Sequence, residues 1–507
     1  MPPVAIGVIF HWLGGLASGS FYVPYKAVRK WSWEVYWLAG GFFSWIIAPW
    51  LLASILTQQL CPSILEAWQT DPHAMKMAYV FGCLWGVGGL TFGLTMRFLG
   101  MSLGMAVALG LCTVLGTLLP DIYQGTLVEN CKTQAPYVVI LLGLGVCLLG
   151  VILAGIAGYS KEREMPEEVK KEAIKEFSFF KGVSVALISG FFSACMAFGL
   201  QAAQPLSVIS IRNTMRLQDR LTELDATYGK EKVDALAKFV ISNELKNAAA
   251  PLDEIAQKDQ SSKDAKRMTE WNALSKELGE GSEAALSTAV AAYAKYDEDG
   301  YTLWSGLPKL CVVLLGGFTT NFVWCMLLLL KNGTLYQFFT TTIKDPDNPG
   351  EKVKVNWLWN LFFSALAGTT WYFQFFFYSM GETKMGEYKF SSWTLHMASI
   401  IIFSSCWGLA LREWKGSSKF TKFILGVAIF TLIYSTITVG YGNFMNSKAP
   451  VATPAAAVET LEDGVADEVA NSISNAANAA SNVVEKAADA VQEVVTEAVE
   501  TAVPAQN

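Results

Sequence analysis

His396 stands near the start of an apolar run, "SSWTLHMASIIIFSSCWGLALREW" (residues 391–414), among serines and tryptophans. An imidazole exchanges a proton near neutral pH, and an ionisable ring in so apolar a stretch is a functional candidate by default. His11 occupies a second such run, and the carboxylates that could do the same work, Glu34, Asp121, Glu382, Glu387 and Glu413, all fall at or near run ends. Proton exchange is therefore expected of His396 first and His11 second. Asp121 and Glu387 are the fallback carriers, provided burial raises their pKa. The plainer alternative for either ring is a neutral histidine hydrogen-bonded between helices.

The elements that must hold these rings are long and apolar. Of the 507 residues, 52% are hydrophobic and 16% charged, against about 25% charged in a soluble domain. Ten apolar segments are read at 4–24, 35–56, 77–97, 101–119, 136–157, 181–203, 306–330, 357–380, 391–411 and 422–444. Each has the roughly 20 residues that a helix needs to cross a hydrocarbon core about 30 Å thick. The first segment lacks a basic leader and a small-residue cleavage site, so it is read as a retained helix. The expected class is an all-α polytopic membrane protein, embedded in the lipid bilayer.

Charge gives the expected orientation. Leaving out 204–305 and the tail, eighteen Lys and Arg fall on the side of the loops after segments one, three, five, seven and nine, against five on the other side. By the positive-inside bias the richer side is cytoplasmic and both termini are exoplasmic. Residues 211–300 carry a net charge of −4, residues 448–507 carry −8, and the remainder carries +6. The acidity thus belongs to two appendages, and no Lys/Arg block suggests nucleic acid. Arg97 and Arg412, at cytoplasmic segment ends, are expected to anchor there.

A repeat is written into the segments. "GVIFHWLGGLAS" from Gly7 and "GVSVALISGFFS" from Gly182 share Gly15 with Gly190 and Ser18 with Ser193, at an offset of 175. Gly82, Trp85 and Gly100 match Gly368, Trp371 and Gly386 at an offset of 286. Two copies of five segments must face opposite ways, because five is odd. Inverted repeats of this kind mark secondary transporters, whose site lies near the midplane. The expected architecture is ten transmembrane helices in two inverted five-helix repeats, plus a small helical soluble insert. The expected divisions are 1–203, the insert 204–305, segments seven to ten at 306–446, and an acidic Ala-rich tail 447–507.

"HWLGGLASGSFYVPYKAVRKWSWE", "LWGVGGLTFGLTMRFLGMSLGMAVALG", "WYFQFFFYSMG" and "SSWTLHM…GLALREWKG" resemble the L-rhamnose–proton symporter family of the drug/metabolite transporter superfamily. The resemblance covers about 1–207 and 301–446. It implies ten helices in two inverted halves and import of L-rhamnose or a related deoxyhexose, driven by the proton gradient across the cytoplasmic (inner) membrane. It brings no site residues with it.

A sugar site must satisfy hydroxyl groups in a low-dielectric interior and offer flat apolar surface to the ring. Trp371, Gln374 and Tyr378 lie at i, i+3 and i+7, one helical face. Asn321 and Trp324 share a face at i, i+3, and the third segment carries Trp85 and Thr91. Trp85, Thr91, Asn321, Trp371, Gln374 and Tyr378 are the candidate sugar contacts. The plainer reading places the tryptophans against lipid or in an interfacial belt, and the amides in helix-to-helix bonds.

The insert "IRNTMRLQDRLTEL…AAYAKYDEDG" is rich in Ala, Glu, Lys and Leu and holds no spanning run. It is expected to form two or three amphipathic helices, a small exoplasmic cap able to contact a partner. The tail alternates Ala/Val pairs with acids and reads as disordered or as a loose surface helix. Nine cysteines without C-x-x-C spacing support neither a metal nor a redox cofactor. Cys61 and Cys131 fall in exoplasmic loops, where a disulfide is chemically permitted. No enzyme constellation is present, and "GLGVCLLG" lacks the strand-turn-helix setting of a phosphate loop. The alternatives to import are export of a metabolite by the same kind of fold, or a membrane sensor that uses the insert. The sensor lacks a cytoplasmic output domain, the largest inner loop being the short charged 159–180.

Overall fold

The computed structural model describes residues 2–99, 101–124, 127–164, 179–260, 266–345, 350–386, 389, 391–410 and 414–448. The tail from 449 onward lies outside the described residues, as do Glu387, Arg412, Glu413 and the side chains of Asp121 and Arg97.

The described chain is helical almost throughout. In the membrane body lie α1 (Pro3–Ser20), α2 (Trp33–Thr57), α3 (Leu60–Thr70), α4 (Pro72–Leu99), α5 (Met101–Gln124), α6 (Ala135–Glu164) and α7 (Phe179–Ala202). The insert brings α8 (Gln204–Arg212), α9 (Met215–Tyr228), α10 (Lys230–Ser242), α11 (Pro251–Gln260), α12 (Lys266–Leu278) and α13 (Ser282–Glu298). There follow α14 (Leu307–Asn332), α15 (Trp357–Glu382), α16 (Ser391–Ala410) and α17 (Lys419–Lys448). A two-stranded antiparallel hairpin, β1 (Thr342–Lys344) and β2 (Lys352–Lys354), pairs Ile343 with Val353 between α14 and α15.

Seven spans among the described residues are long and apolar enough to cross a membrane. They show the expected surface. On α6 the exposed Leu142, Leu149, Ile152 and Ile156 form one stripe, and on α17 Phe423, Phe430, Tyr434, Ile437 and Tyr441 form another. Water would oppose such stripes, whereas acyl chains match them. The protein is a multi-pass membrane protein. The expected segments at 77–97, 101–119 and 357–380 are also helices, of 28, 24 and 26 residues.

The described chain forms two compact units, each assembled from separated stretches. One comprises Met1–Tyr22, Leu84–Phe198 and the described residues from Lys384 onward. There α6 lies along α17, with Ser435 Oγ donating to the Gly143 carbonyl at 2.9 Å. In the same unit α1 lies along α16 at Gly15 and Gly19, and α7 meets α5 at Gly190. The other unit comprises Val23–Cys83 and Gly199–Thr383. In it α2 and α15 cross at Gly40 and Gly368, while α4 and α14 cross at Gly82 and Gly316, where a β-carbon would run into the facing backbone. Such small-residue crossings let helices pack by van der Waals contact where no hydrophobic force drives them together.

The insert corrects the expectation of two or three helices. Beyond α8 its described residues form five, closing over a hydrophobic core of its own that includes Leu217, Leu221, Leu236, Ile255, Trp271 and Leu286. Val208 and Ile211 of α8 join that core. The helices run only 10–17 residues. Gly229, Gly279 and Gly281, all at positive φ, turn the chain within a residue or two, so long Pro-free stretches hide several short helices.

Candidate functional site: a buried histidine pair and an aromatic face

In the first unit α16 turns a polar seam inward. Every residue from Ser391 to Ser399 is buried. Asn443 of α17 donates to Ser391 Oγ at 2.9 Å. The Thr394 and Thr117 hydroxyls bond at 2.9 Å, and Trp393 Nε1 donates to the Cys112 carbonyl at 3.1 Å. With Ser391 bonded to α17 and Trp393 and Thr394 bonded to α5, the first half of α16 is an interior helix.

His396 and His11 are both fully buried. Ser399 Oγ is shared between the carbonyls of His11, at 2.9 Å, and His396, at 2.7 Å. Since Ser399 also faces Gly15, one turn beyond His11, the two histidines stand on neighbouring turns of adjoining helices. The structure thus brings the two expected proton-exchanging residues together. The third histidine, His73, is exposed.

The second unit holds an aromatic face. Trp371 meets Trp45 edge-on at 5.7 Å and Phe375 at 5.3 Å. Trp45 in turn meets Trp37 at 6.2 Å, and Trp37 stacks on Trp33 at 5.4 Å. Trp45 lies in a π-helical turn, Phe42–Ile47, in which the Ala48 N–H reaches back to the Phe43 carbonyl. Pro49 cannot donate to the Trp45 carbonyl, which is the sequence signal for an irregular turn there. Sequence reasoning overlooked both Trp45 and Ser399.

The amides differ in how they are used. Asn321 Oδ1 accepts from Trp37 Nε1 at 3.3 Å, and its Nδ2 donates to the Gly317 carbonyl at 2.9 Å. This is the helix-to-helix bonding of the plainer reading. Gln374 is equally buried, yet its Nε2 has no hydrogen-bond partner among the described residues. Tyr378 is buried beside it in sequence, while Trp371 is half-buried. Trp324 is exposed, so its i, i+3 spacing from Asn321 does not give it the same surroundings. Trp85 and Thr91 belong to the first unit and the other four candidates to the second. Trp85 is half-buried, and the Thr91 hydroxyl bonds carbonyls of its own helix, Val87 at 2.9 Å and Gly88 at 3.1 Å.

Among the described residues no group of His, Cys, Asp and Glu could hold a metal ion. Cys61 is exposed without a disulfide, and Cys131 is buried.

A family model described as L-rhamnose-proton symport protein matches residues 2–216 and 281–445. The chain belongs to this family. Among curated proteins, the L-rhamnose-proton symporters of Yersinia pestis and Yersinia pseudotuberculosis are 29% identical over 443 residues, 87% of this chain and 98% of theirs. That of Salmonella typhi is 28% identical over 444 residues, with the same coverage. No solved structure matches the chain. The family is one of symporters, not of enzymes. Both matched stretches together contain every site candidate named above, and the unmatched 217–280 lies inside the insert. Helix α13 falls within the second matched stretch, so the part foreign to the family is shorter than 204–305.

Proposed function

We propose that this protein imports L-rhamnose or a related deoxyhexose together with protons across the cytoplasmic membrane, by alternating access of ten helices in two inverted repeats. The observation that carries the reading is that the family match runs through both membrane blocks and includes both buried histidines. In this reading His396 and His11 respond to the proton. Trp371, Gln374 and Tyr378 lead the sugar contacts, with Trp85 and Thr91 supplementary and Asn321 holding Trp37 in place. Both termini and the insert are exoplasmic, in accord with the eighteen-to-five bias of Lys and Arg.

The crossings support the repeat. If segments one to five correspond to six to ten, the α1–α16 contact at Gly15 corresponds to the α7–α5 contact at Gly190, its expected counterpart. Likewise the Gly40–Gly368 crossing of α2 with α15 corresponds to the Gly316–Gly82 crossing of α14 with α4.

The test is counterflow of radiolabelled L-rhamnose in proteoliposomes, with and without an inward proton gradient. Specific counterflow, and concentrative uptake only under the gradient, are expected. Absence of counterflow for L-rhamnose, L-fucose and other deoxyhexoses alike would overturn the reading.

A further inference from the structure

The face of α15 that carries Trp371, Gln374 and Tyr378 does not end at Tyr378. One turn on, at Glu382, it meets Lys309 of α14. Lys309, one of the five basic residues on the poorer side of the charge count, is only 5% exposed. Its Nζ donates to Gln204 Oε1 at 3.0 Å and to Glu382 Oε2 at 3.4 Å. Gln204 opens α8, the lead into the insert, and Lys309 lies just beyond the insert's other end. Ser379, one turn before Glu382, is buried, and its Oγ has no hydrogen-bond partner among the described residues. A methyl on Gly306 would run into that hydroxyl and would touch Lys309 Cε at 3.7 Å, so serine and lysine flank one glycine.

We propose that Lys309 and Glu382, with Gln204 and Ser379 beside them, form a subsite for a vicinal diol of the transported sugar. This rests on the sugar-import reading and adds the recognition element at the far end of the α15 face. A vicinal diol matches a Lys–Glu pair because one hydroxyl donates to the carboxylate while the other accepts from the ammonium. Such bonds are charge-assisted, and N–H···O bonds of this kind are at their best near about 2.8 Å. The Lys309–Glu382 contact, at 3.4 Å, is longer, so hydroxyls that bridge it improve the bonding of both charges. Gln204 steadies the ammonium, and the Ser379 hydroxyl gains a partner. The ring of Trp304, centred 5.9 Å from that of Phe376, supplies apolar surface near the same end of α15. A purely structural ion pair between α14 and α15 would explain the charges but not the buried serine hydroxyl.

The two readings differ in specificity. A site built to bond a hydroxyl rejects the analogue that lacks it, because its own buried groups are then left unpaired. Binding of L-rhamnose and of its 2-deoxy and 3-deoxy analogues would be measured on the purified full-length protein by intrinsic tryptophan fluorescence. For the unaltered protein, at least one analogue should bind about tenfold or more weakly than L-rhamnose. In Glu382→Gln and Lys309→Met, L-rhamnose should weaken to about the level of that analogue, whose own affinity changes little. Ser379→Ala, the mildest change, should narrow the discrimination in the same sense and serves where Lys309→Met fails to fold. Variants that weaken L-rhamnose and the analogues equally, or that leave both unchanged, would overturn the subsite while leaving sugar import intact. Failure of the unaltered protein to bind any of these sugars would remove the import reading and the subsite together.

Discussion

Gly15 of α1 and Ser399 of α16 occupy facing positions so close that a β-carbon on Gly15 would lie 2.5 Å from Ser399 Cβ and 2.6 Å from its backbone carbonyl carbon. The same serine bonds the carbonyl of His11. The crossing therefore sets the level at which the two histidine-bearing helices meet. Gly15→Ala cannot be absorbed by a rotamer change, because part of the obstacle is backbone. Overpacking of this kind costs about 1–3 kcal/mol. A lower melting temperature in detergent is expected for Gly15→Ala. Ser399→Ala, which gives up one shared hydrogen bond, should cost about 1 kcal/mol.

Replacement of His396 by Gln keeps a hydrogen-bonding side chain of similar reach but removes the titratable ring. L-Rhamnose counterflow, which needs no net proton movement, is expected to persist, and accumulation against a sugar gradient is expected to be lost. His11→Gln should act in the same direction. Proteoliposomes assayed for both modes separate the two effects. Full gradient-driven accumulation in both variants would take the pair out of the coupling mechanism.

Two buried amides of the second unit, Asn321 and Gln374, should respond oppositely. Asn321→Ala strips Trp37 Nε1 of its acceptor and the Gly317 carbonyl of a donor, and leaving such groups unpaired costs about 1–3 kcal/mol of stability. Gln374→Leu instead removes a buried amide donor that has no partner among the described residues. Its fold should be no less stable than that of the unaltered protein, while sugar affinity drops about tenfold, the equivalent of about 1.4 kcal/mol. Thermal melting and sugar binding measured on both variants check the pair.

The membrane segments were legible because roughly 20 apolar residues in a row have few other fates. The run expected at 391–411 is the helix Ser391–Ala410, and that expected at 422–444 lies within Lys419–Lys448. The histidines could be picked by residue type alone, against a background of carboxylates at segment ends. Their partner could not, for Ser399 and His11 are 388 residues apart in the chain and their meeting depends on how two helices pack. Spacing misled at Trp324, which shares a helical row with Asn321 but is exposed where Asn321 is buried. The burial of Lys309 was not legible, because counting a charge on one side of the bilayer says nothing about its burial. The insert was undercounted in part because glycines turn the chain within a few residues between α9 and α10 and between α12 and α13.

The insert's core offers a contained test. Leu236 is fully buried in it, and truncating such a leucine costs about 2–5 kcal/mol. Leu236→Ala is expected to open 215–298 to limited proteolysis while fragments outside the insert stay protected. Equal loss of protection in the membrane helices would instead mean that the insert's folding and theirs are inseparable.

At the end of α6, beyond its apolar span, the Glu164 carboxylate gathers the start of α17. It accepts from the Ser418 backbone N–H at 2.5 Å, from the Ser418 hydroxyl at 2.6 Å and from the Thr421 hydroxyl at 2.7 Å. These bonds hold its pKa down, from 4.5 to about 2. Because the folded value lies below the unfolded one, the contribution to stability is fully present above about pH 4.5 and fades as the pH falls toward 2. Glu164→Gln cannot titrate, so between those values its stability should fall less steeply than that of the unaltered protein. Above pH 5 it should be the less stable of the two, since a neutral amide is a weaker acceptor than a carboxylate. Melting temperatures across pH 3–7 in detergent give both slopes, and parallel curves would show that this carboxylate does not anchor α17.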